Sequence, residues 1–202
     1  MIDPAAYIRA FPAFPHPIDD AAPWAITGRA ETLIASLLPR LDAAYRRVGP
    51  CAIHASATVE HGALLKGPVV VGPGCFVAAG SLLRGGCWLE AGCVVGPGVE
   101  LKSSLVFSGA KLAHFNFVGD SLIGRDVNIE AGAIIASHRN EADDKRIRIR
   151  VAEGVIETGV TKFGALVGDG VRVGANAVVA PGALLAPGSV VPRLGLVDQS
   201  PG

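Results

Sequence analysis

An aliphatic residue at every sixth position, a glycine three places after most of them, and a scarcity of aromatics predict an all-β chain. It should be wound as a parallel β-helix of hexapeptide repeats. From residue 53 the anchors run Ile53, Val59, Leu65, Val71, Val77, Leu83, Leu89, Val95, Leu101 and Phe107. The register slips near His114, resumes at Ile123, Ile129 and Ile135, breaks, and returns as Val167, Val173, Val179, Leu185 and Val191. Small or modest side chains such as Ala57, Cys75, Ser81, Cys87, Cys93 and Val99 follow four places after an anchor, at a second inward position. Where glycine is missing from the corner, Asp126 and Asn176 stand there, residue types that tolerate left-handed backbone angles. Three hexads close a triangular coil of about eighteen residues.

Taken along the chain, residues 1–48 form an N-terminal arm. It opens on the aromatic-Pro stretch Phe11-Pro12-Ala13-Phe14-Pro15-His16-Pro17 and continues as an amphipathic helix. Leu33, Ile34, Leu37, Leu38, Leu41 and Tyr45 share one face, Thr27 is the expected N-cap, and Pro39 should kink or divide the helix. The arm is expected to cap the open first coil. Residues 49–195 are the β-helix, 196–202 a C-terminal tail. Residues 136–162 leave the period as an inserted loop that holds 11 of the 36 charged residues, and alternation of Arg146, Arg148 and Arg150 with Ile147 and Ile149 predicts a hairpin there.

With 26 glycines and 14 prolines in 202 residues, about a fifth of the chain is Gly or Pro, and aromatics are 5%. Glycine does not recur every third residue, which excludes collagen, and the Val, Leu and Ile content argues against disorder. Eighteen basic and eighteen acidic residues cancel, which removes the electrostatic case for nucleic acid or an anionic membrane as partner. No apolar run reaches the ~20 residues of a membrane span, and Met1-Ile2-Asp3-Pro4 does not start a signal peptide. Four cysteines without a C-x-x-C pair read as free thiols, and a cytoplasmic location is expected.

Residues eighteen apart should stack on one face. Lys66, Arg84 and Lys102 are so related and form a column of positive charge. The column is either a strip for a phosphate or other anion, or a solvated edge relieved by Glu60, Glu90 or Glu100. Cys75 and Cys93 should stack in the core, and Cys51 and Cys87 give no metal-ligand spacing. Of the histidines at 16, 54, 61, 114 and 138, His114 sits where the register slips, as though turned out of the lattice. A lone His can be structural or can serve as a general base toward an amine. No metal is expected.

The hexapeptides, the stretch VELKSSLVFSGAKLAHFNFVGDSLIGRDVNIEAGAII (99–135) and ETGVTKFGALVGD (157–169) give the chain a family likeness over roughly residues 50–192. It resembles the left-handed β-helix acyltransferases, in particular the acetyltransferase domain of the bifunctional UDP-N-acetylglucosamine pyrophosphorylase/glucosamine-1-phosphate acetyltransferases. The resemblance implies the left hand of the helix and a homotrimer with sites between subunits, toward which the charged loop would reach. It also implies acetyl transfer from acetyl-CoA to the amine of a hexosamine 1-phosphate, in nucleotide-sugar biosynthesis, with no metal needed. His114 then falls on the general base. Arg84, Lys102, Phe117, Asn128 and Lys162 fall on sugar-phosphate contacts, and Ser137, His138 and Ala175 lie toward the coenzyme. The chain departs from the family in having Phe117 where a Tyr stands, Ser137-His138 in place of Asn-Tyr, about one coil fewer after the loop, and no uridylyltransferase domain. Alternatives are a sugar-phosphate-binding or scaffolding relative without catalysis, and a partner subunit to a separate pyrophosphorylase.

Overall fold

Each hexad sends one aliphatic side chain inward and turns at its corner, so the chain closes into a three-faced prism. The computed structural model describes residues 2–15, 18 and 22–201; His16 and Pro17 of the aromatic-Pro stretch lie outside the described residues. The first face stacks Cys51–His54, Val69–Val71, the second halves of the long strands Leu82–Leu89 and Glu100–Val106, then Leu122–Ile123, Ala165–Val167 and Ala183–Leu185. The second face is a seven-stranded sheet from Thr58–Val59 to Val190–Val191. The third runs from Leu64–Lys66 through Phe117–Gly119 and Ile134–Ile135 to Leu196–Val197, two residues past the boundary read from the sequence. All pairing between coils is parallel, as in Lys66 to Arg84 and Val173 to Val191.

The prism interior is aliphatic, built from the anchors and from Cys75, Cys87, Cys93 and Val99, with no aromatic side chain among its described residues. The corner glycines at 62, 74, 80, 86, 92, 98, 132, 170, 182 and 188, together with Asp126 and Asn176, all have positive φ. The glycines allow a turn that a Cβ would resist, and Asp and Asn are among the side chains that tolerate it best.

The slip lies elsewhere than expected. Anchors are six apart at every corner except the one between the third and first faces, called here the variable corner. There the inward sequence is Leu101 then Val106, and Val118 then Ile123, five apart each time, so two coils are seventeen residues long. Ser103 and Asp120 take positive φ at the shortened turns. The lost residue removes a ladder carbonyl, and serine hydroxyls take its place: Ser104 Oγ accepts the Ser121 N–H and Ser121 Oγ accepts the Ala165 N–H, each at 3.0 Å. In consequence Phe107 is not an anchor. It faces outward, 5.2 Å from the Trp88 ring and 6.1 Å from that of Phe11. His114 accordingly displaces nothing and occupies an ordinary corner two places after Leu112.

The outward positions of the first face are also apolar: Val70, Trp88, Leu105, Leu122, Leu166 and Leu184 are all buried. They are covered by the arm, through Ile8, Phe11, Phe14, Ile26, Leu33, Ile34 and Leu37, and by Ile147 and Ile149 of the inserted loop. The arm therefore lies along the first face. Among the described residues the first coil itself is edged only by β1 (Tyr45–Val48), antiparallel to Cys51–His54. Two short helices replace the single one expected, α1 (Pro23–Gly28) and α2 (Ala30–Leu37). Pro23 begins α1, because its fixed φ suits a first helical position. Thr27 is thus near the end of a helix, its hydroxyl 3.4 Å from the Trp24 carbonyl, and caps nothing. Pro39 ends α2 in the 3₁₀ turn Leu38–Arg40. The inserted loop does form a hairpin, Arg148–Val151 against Gly154–Glu157. Ile147 and Ile149 anchor it to its own chain, each burial contributing roughly 1.5–3 kcal/mol.

Candidate functional site

Strand register puts Lys66, Arg84 and Lys102 side by side at the variable corner, as coil arithmetic required. Parallel strands stand ~4.8 Å apart, so three unscreened cations there would repel. The chain relieves two of them. Arg84 is 2.6 Å from Glu100, and the Lys102 ammonium lies 2.6 and 2.7 Å from the two carboxylate oxygens of Asp120. Glu60 and Glu90 do other work, accepting the backbone N–H groups of Ala79 and Ser108. The anticipated strip is therefore partly neutralised from within. Asp120 carries no mark in the sequence period. The shortened coil pairs Lys102 with Gly119, and Asp120, the next residue, takes the tight turn with a φ of +48° and closes its carboxylate on Lys102.

The inserted loop re-enters the prism at the same corner and delivers Lys162 there. Phe163 N–H bonds the Ser137 carbonyl and Gly164 N–H that of Asp120. His138 Nδ1 is 3.0 Å from the Thr161 carbonyl. Ser137 is buried, and a Cβ at Gly119 would stand 2.8 Å from its Oγ and 2.9 Å from the Phe117 ring. Arg84, Lys102, Phe117, Ser137, His138 and Lys162 thus gather at or beside one edge. Between this corner and α1–α2 lies a cavity of about 480 Å³, lined by Trp24, Glu31, Lys102, Asp120 and Lys162 among others. Trp24 and Glu31 come from the arm, where no periodicity marked them.

His114, Asn128 and Ala175 lie elsewhere. His114 is exposed at the corner between the second and third faces, and its side chain has no hydrogen-bond partner among the described residues. Its neighbour Phe115 is 73% exposed with a φ of +52°. Asn128 is exposed on the second face between Lys111 and Arg172. The Ala175 N–H donates to Glu130 Oε2, whose carboxylate also takes two bonds from Arg193 at 2.9 Å. The Arg193 hydrogen bonds hold the Glu130 carboxyl below its ordinary range. In a single chain, a third-face strand separates this group from the variable corner, a width of ~10 Å for three residues.

The cysteines offer no nucleophile. All four are buried and free, burial pushes the Cys87 thiol up to about 12, and the Cys75 thiol donates to the Glu90 carbonyl at 2.7 Å. Among the described residues no group of three or more His, Cys, Asp or Glu could hold a metal, and no helix is long and apolar enough to cross a membrane.

No family model matches the chain. A bifunctional sugar-1-phosphate nucleotidylyltransferase/acetyltransferase of Sulfurisphaera tokodaii is 42% identical over 78 residues, 39% of this chain and 19% of that protein. A bifunctional protein GlmU of Methanococcus vannielii is 32% identical over 100 residues, 50% of this chain and 23% of that protein. The chain spans about a fifth of the length of these curated relatives. The acetyltransferase domain of PglB from Neisseria gonorrhoeae is 19% identical over 86% of this chain and 71% of that one, with a TM-score of 0.36. That domain has also been solved in complex with acetyl coenzyme A, a match covering 71% of this chain and 54% of that one at 19% identity, with a TM-score of 0.27. By fold the chain is a parallel β-helix of hexapeptide coils, and over part of its length its sequence is similar to the bifunctional sugar-1-phosphate nucleotidylyltransferase/acetyltransferases.

Proposed function

We propose that the chain is an N-acetyltransferase that moves an acetyl group from acetyl-CoA to the 2-amino group of a hexosamine 1-phosphate. The observation that carries this reading is the cavity at the variable corner, where Lys102 and Lys162 meet beside Arg84. Two ammonium groups and a guanidinium suit a phosphate monoester. The similarity to the bifunctional sugar-1-phosphate nucleotidylyltransferase/acetyltransferase of Sulfurisphaera tokodaii supports the same chemistry.

In this reading His114 accepts a proton from the sugar ammonium, the freed amine attacks the thioester carbonyl, and the amide forms as the coenzyme thiolate leaves and is protonated. Asn128 and Phe117 hold the sugar, and Ser137, His138 and Ala175 lie along the coenzyme. Because His114 and Lys102 sit at opposite edges of the third face, the site is completed by a second subunit of a homotrimer. The apolar outward column of that face supports this: Leu64, Ile134, Val178 and Leu196 are exposed along it, with Phe115 and Leu194 at its border. The buried, free cysteines are in keeping with a cytoplasmic location.

The test is a steady-state acetylation assay with glucosamine 1-phosphate and galactosamine 1-phosphate. His114→Ala should lower kcat by about 10²–10⁴-fold; unchanged activity removes His114 as the base. One observation favours a second reading, a sugar-phosphate-binding protein without catalysis: Ser137 is buried and packs toward Gly119. Calorimetry separates the two, since that protein would bind the sugar phosphate and show no heat with acetyl-CoA.

A further inference from the structure

The variable-corner cavity has two walls of different origin. The β-helix and the end of its inserted loop supply Lys102, Asp120 and Lys162; the arm supplies Trp24 and Glu31. The arm is fixed there by two contacts. The backbone of Ala30 and Glu31 lies so close over Gly86 that a Cβ on that glycine would overlap it. The Trp24 ring meets Phe163, the residue after Lys162, edge to face at 5.8 Å. Trp24 and Lys162 are therefore held as neighbours by an aromatic contact that neither the hairpin nor the arm makes alone.

The charges in this cavity are only partly paired. Lys102 and Asp120 satisfy one another. Glu31 and Lys162 make no ion pair among the described residues, with each other or with any third group, although both line the same space. Opposite charges left apart across a cavity of about 480 Å³ fit a ligand that itself carries both signs. An indole beside them offers an apolar plane for the C–H face of a sugar ring.

We propose that Trp24 and Glu31 make the N-terminal arm the specificity wall of this pocket, selecting an aminated sugar phosphate over its hydroxyl counterpart. Lys162, with the remaining N–H of Lys102, takes the phosphate; Glu31 takes the ammonium; Trp24 underlies the ring. This rests on the reading of the corner as a sugar-phosphate site but does not require acetyl transfer.

Titration calorimetry on the full chain tests it, with glucosamine 1-phosphate, glucose 1-phosphate and inorganic phosphate as probes. The wild type should prefer the aminated sugar. Glu31→Gln should weaken glucosamine 1-phosphate about 10-fold, as for loss of a charged hydrogen bond, and leave glucose 1-phosphate within about 2-fold. Trp24→Ala should weaken both sugar phosphates and leave inorganic phosphate unchanged, with Trp24→Phe restoring most of the loss. Glu31 is exposed, so thermal melts of its variant should match the wild type. Equal effects of Glu31→Gln on both sugars, no effect on either, or no binding by the wild type overturns the proposal. Acetylation is assayed in parallel. Transfer that persists with unaltered sugar preference in Glu31→Gln overturns the arm's role alone. Selective loss of glucosamine 1-phosphate binding in a chain that never transfers acetyl overturns the catalytic reading alone.

Discussion

Two kinds of corner in the same prism obey different rules. Where the first face turns into the second, and the second into the third, successive anchors are six residues apart in every coil, from Ile53–Val59 to Val191–Val197. At the variable corner the spacing is six, six, five, five, thirty-two and six. A six-residue corner needs only a residue that accepts the turn, most often glycine, and the coil stacked on it. The variable corner loses a residue twice, admits the inserted loop, stacks three cations and lies under the arm. A solenoid accepts change where something beyond its own ladder supports the turn. A corner supported from outside tolerates altered length, because serine hydroxyls satisfy what the ladder no longer does and the arm packs over the turn.

The strongest test of that contrast compares two glycines of similar backbone angle. Gly86 (φ +89°) lies under the backbone of α2, whereas Gly92 (φ +68°) has nothing near the place of its missing Cβ. Gly92→Ala should cost about 1 kcal/mol of left-handed strain. Gly86→Ala should add displacement of the arm, for a total of about 3 kcal/mol or more by denaturant unfolding. Equal costs would mean that the arm gives no support to the corner.

A smaller effect is expected at the Lys102–Asp120 pair, whose side chains are mostly out of solvent. Asp120→Asn keeps a residue type that tolerates its φ of +48° but removes the counter-charge, and should cost about 2 kcal/mol. In the double variant with Lys102→Met, most of that loss should return. A non-additive cycle of this kind places the pair's energy in charge compensation rather than in the turn.

The smallest effect concerns how the insertion is held. Arg139 is buried, and it bonds Asp198 at 2.6 Å and the Pro181 carbonyl, tying the loop to the C-terminal residues. Its hydrogen bonds hold the Asp198 carboxyl below the ordinary 3.8. With the folded pKa depressed, the stabilisation is present above the ordinary value and disappears as pH falls through the folded one. Melting temperatures of wild type and Asp198→Asn should therefore differ at neutral pH and converge in acid. A constant difference would assign the effect to packing.

The cysteine ladder, the hairpin alternation and the cation column were all legible, because each follows from a spacing. Phe107 and His114 were misplaced for one reason. One residue lost between Leu101 and Val106 shifts the assignments of Phe107 and His114 by one, before a second is lost between Val118 and Ile123, and the sequence near His114 is where the shift becomes visible, not where it occurs. The arm's position was less hidden than it seemed. Trp88, Leu105, Phe107 and Leu122 stand next to anchors, at positions that would face water on a bare prism, and they imply a cover.

The prism is legible in the chain, since an inward aliphatic every six residues and a corner that accepts left-handed angles are local properties that repeat without reference to distant chain. Packing in three dimensions settled that the coils shorten at one edge and that Asp120 closes on Lys102. It also brought Trp24 and Glu31 to face Lys162 and left His114 on the far side of a face. Those outcomes depend on contacts between segments with no common period, held together by the burial of apolar side chains on the outside of the first face.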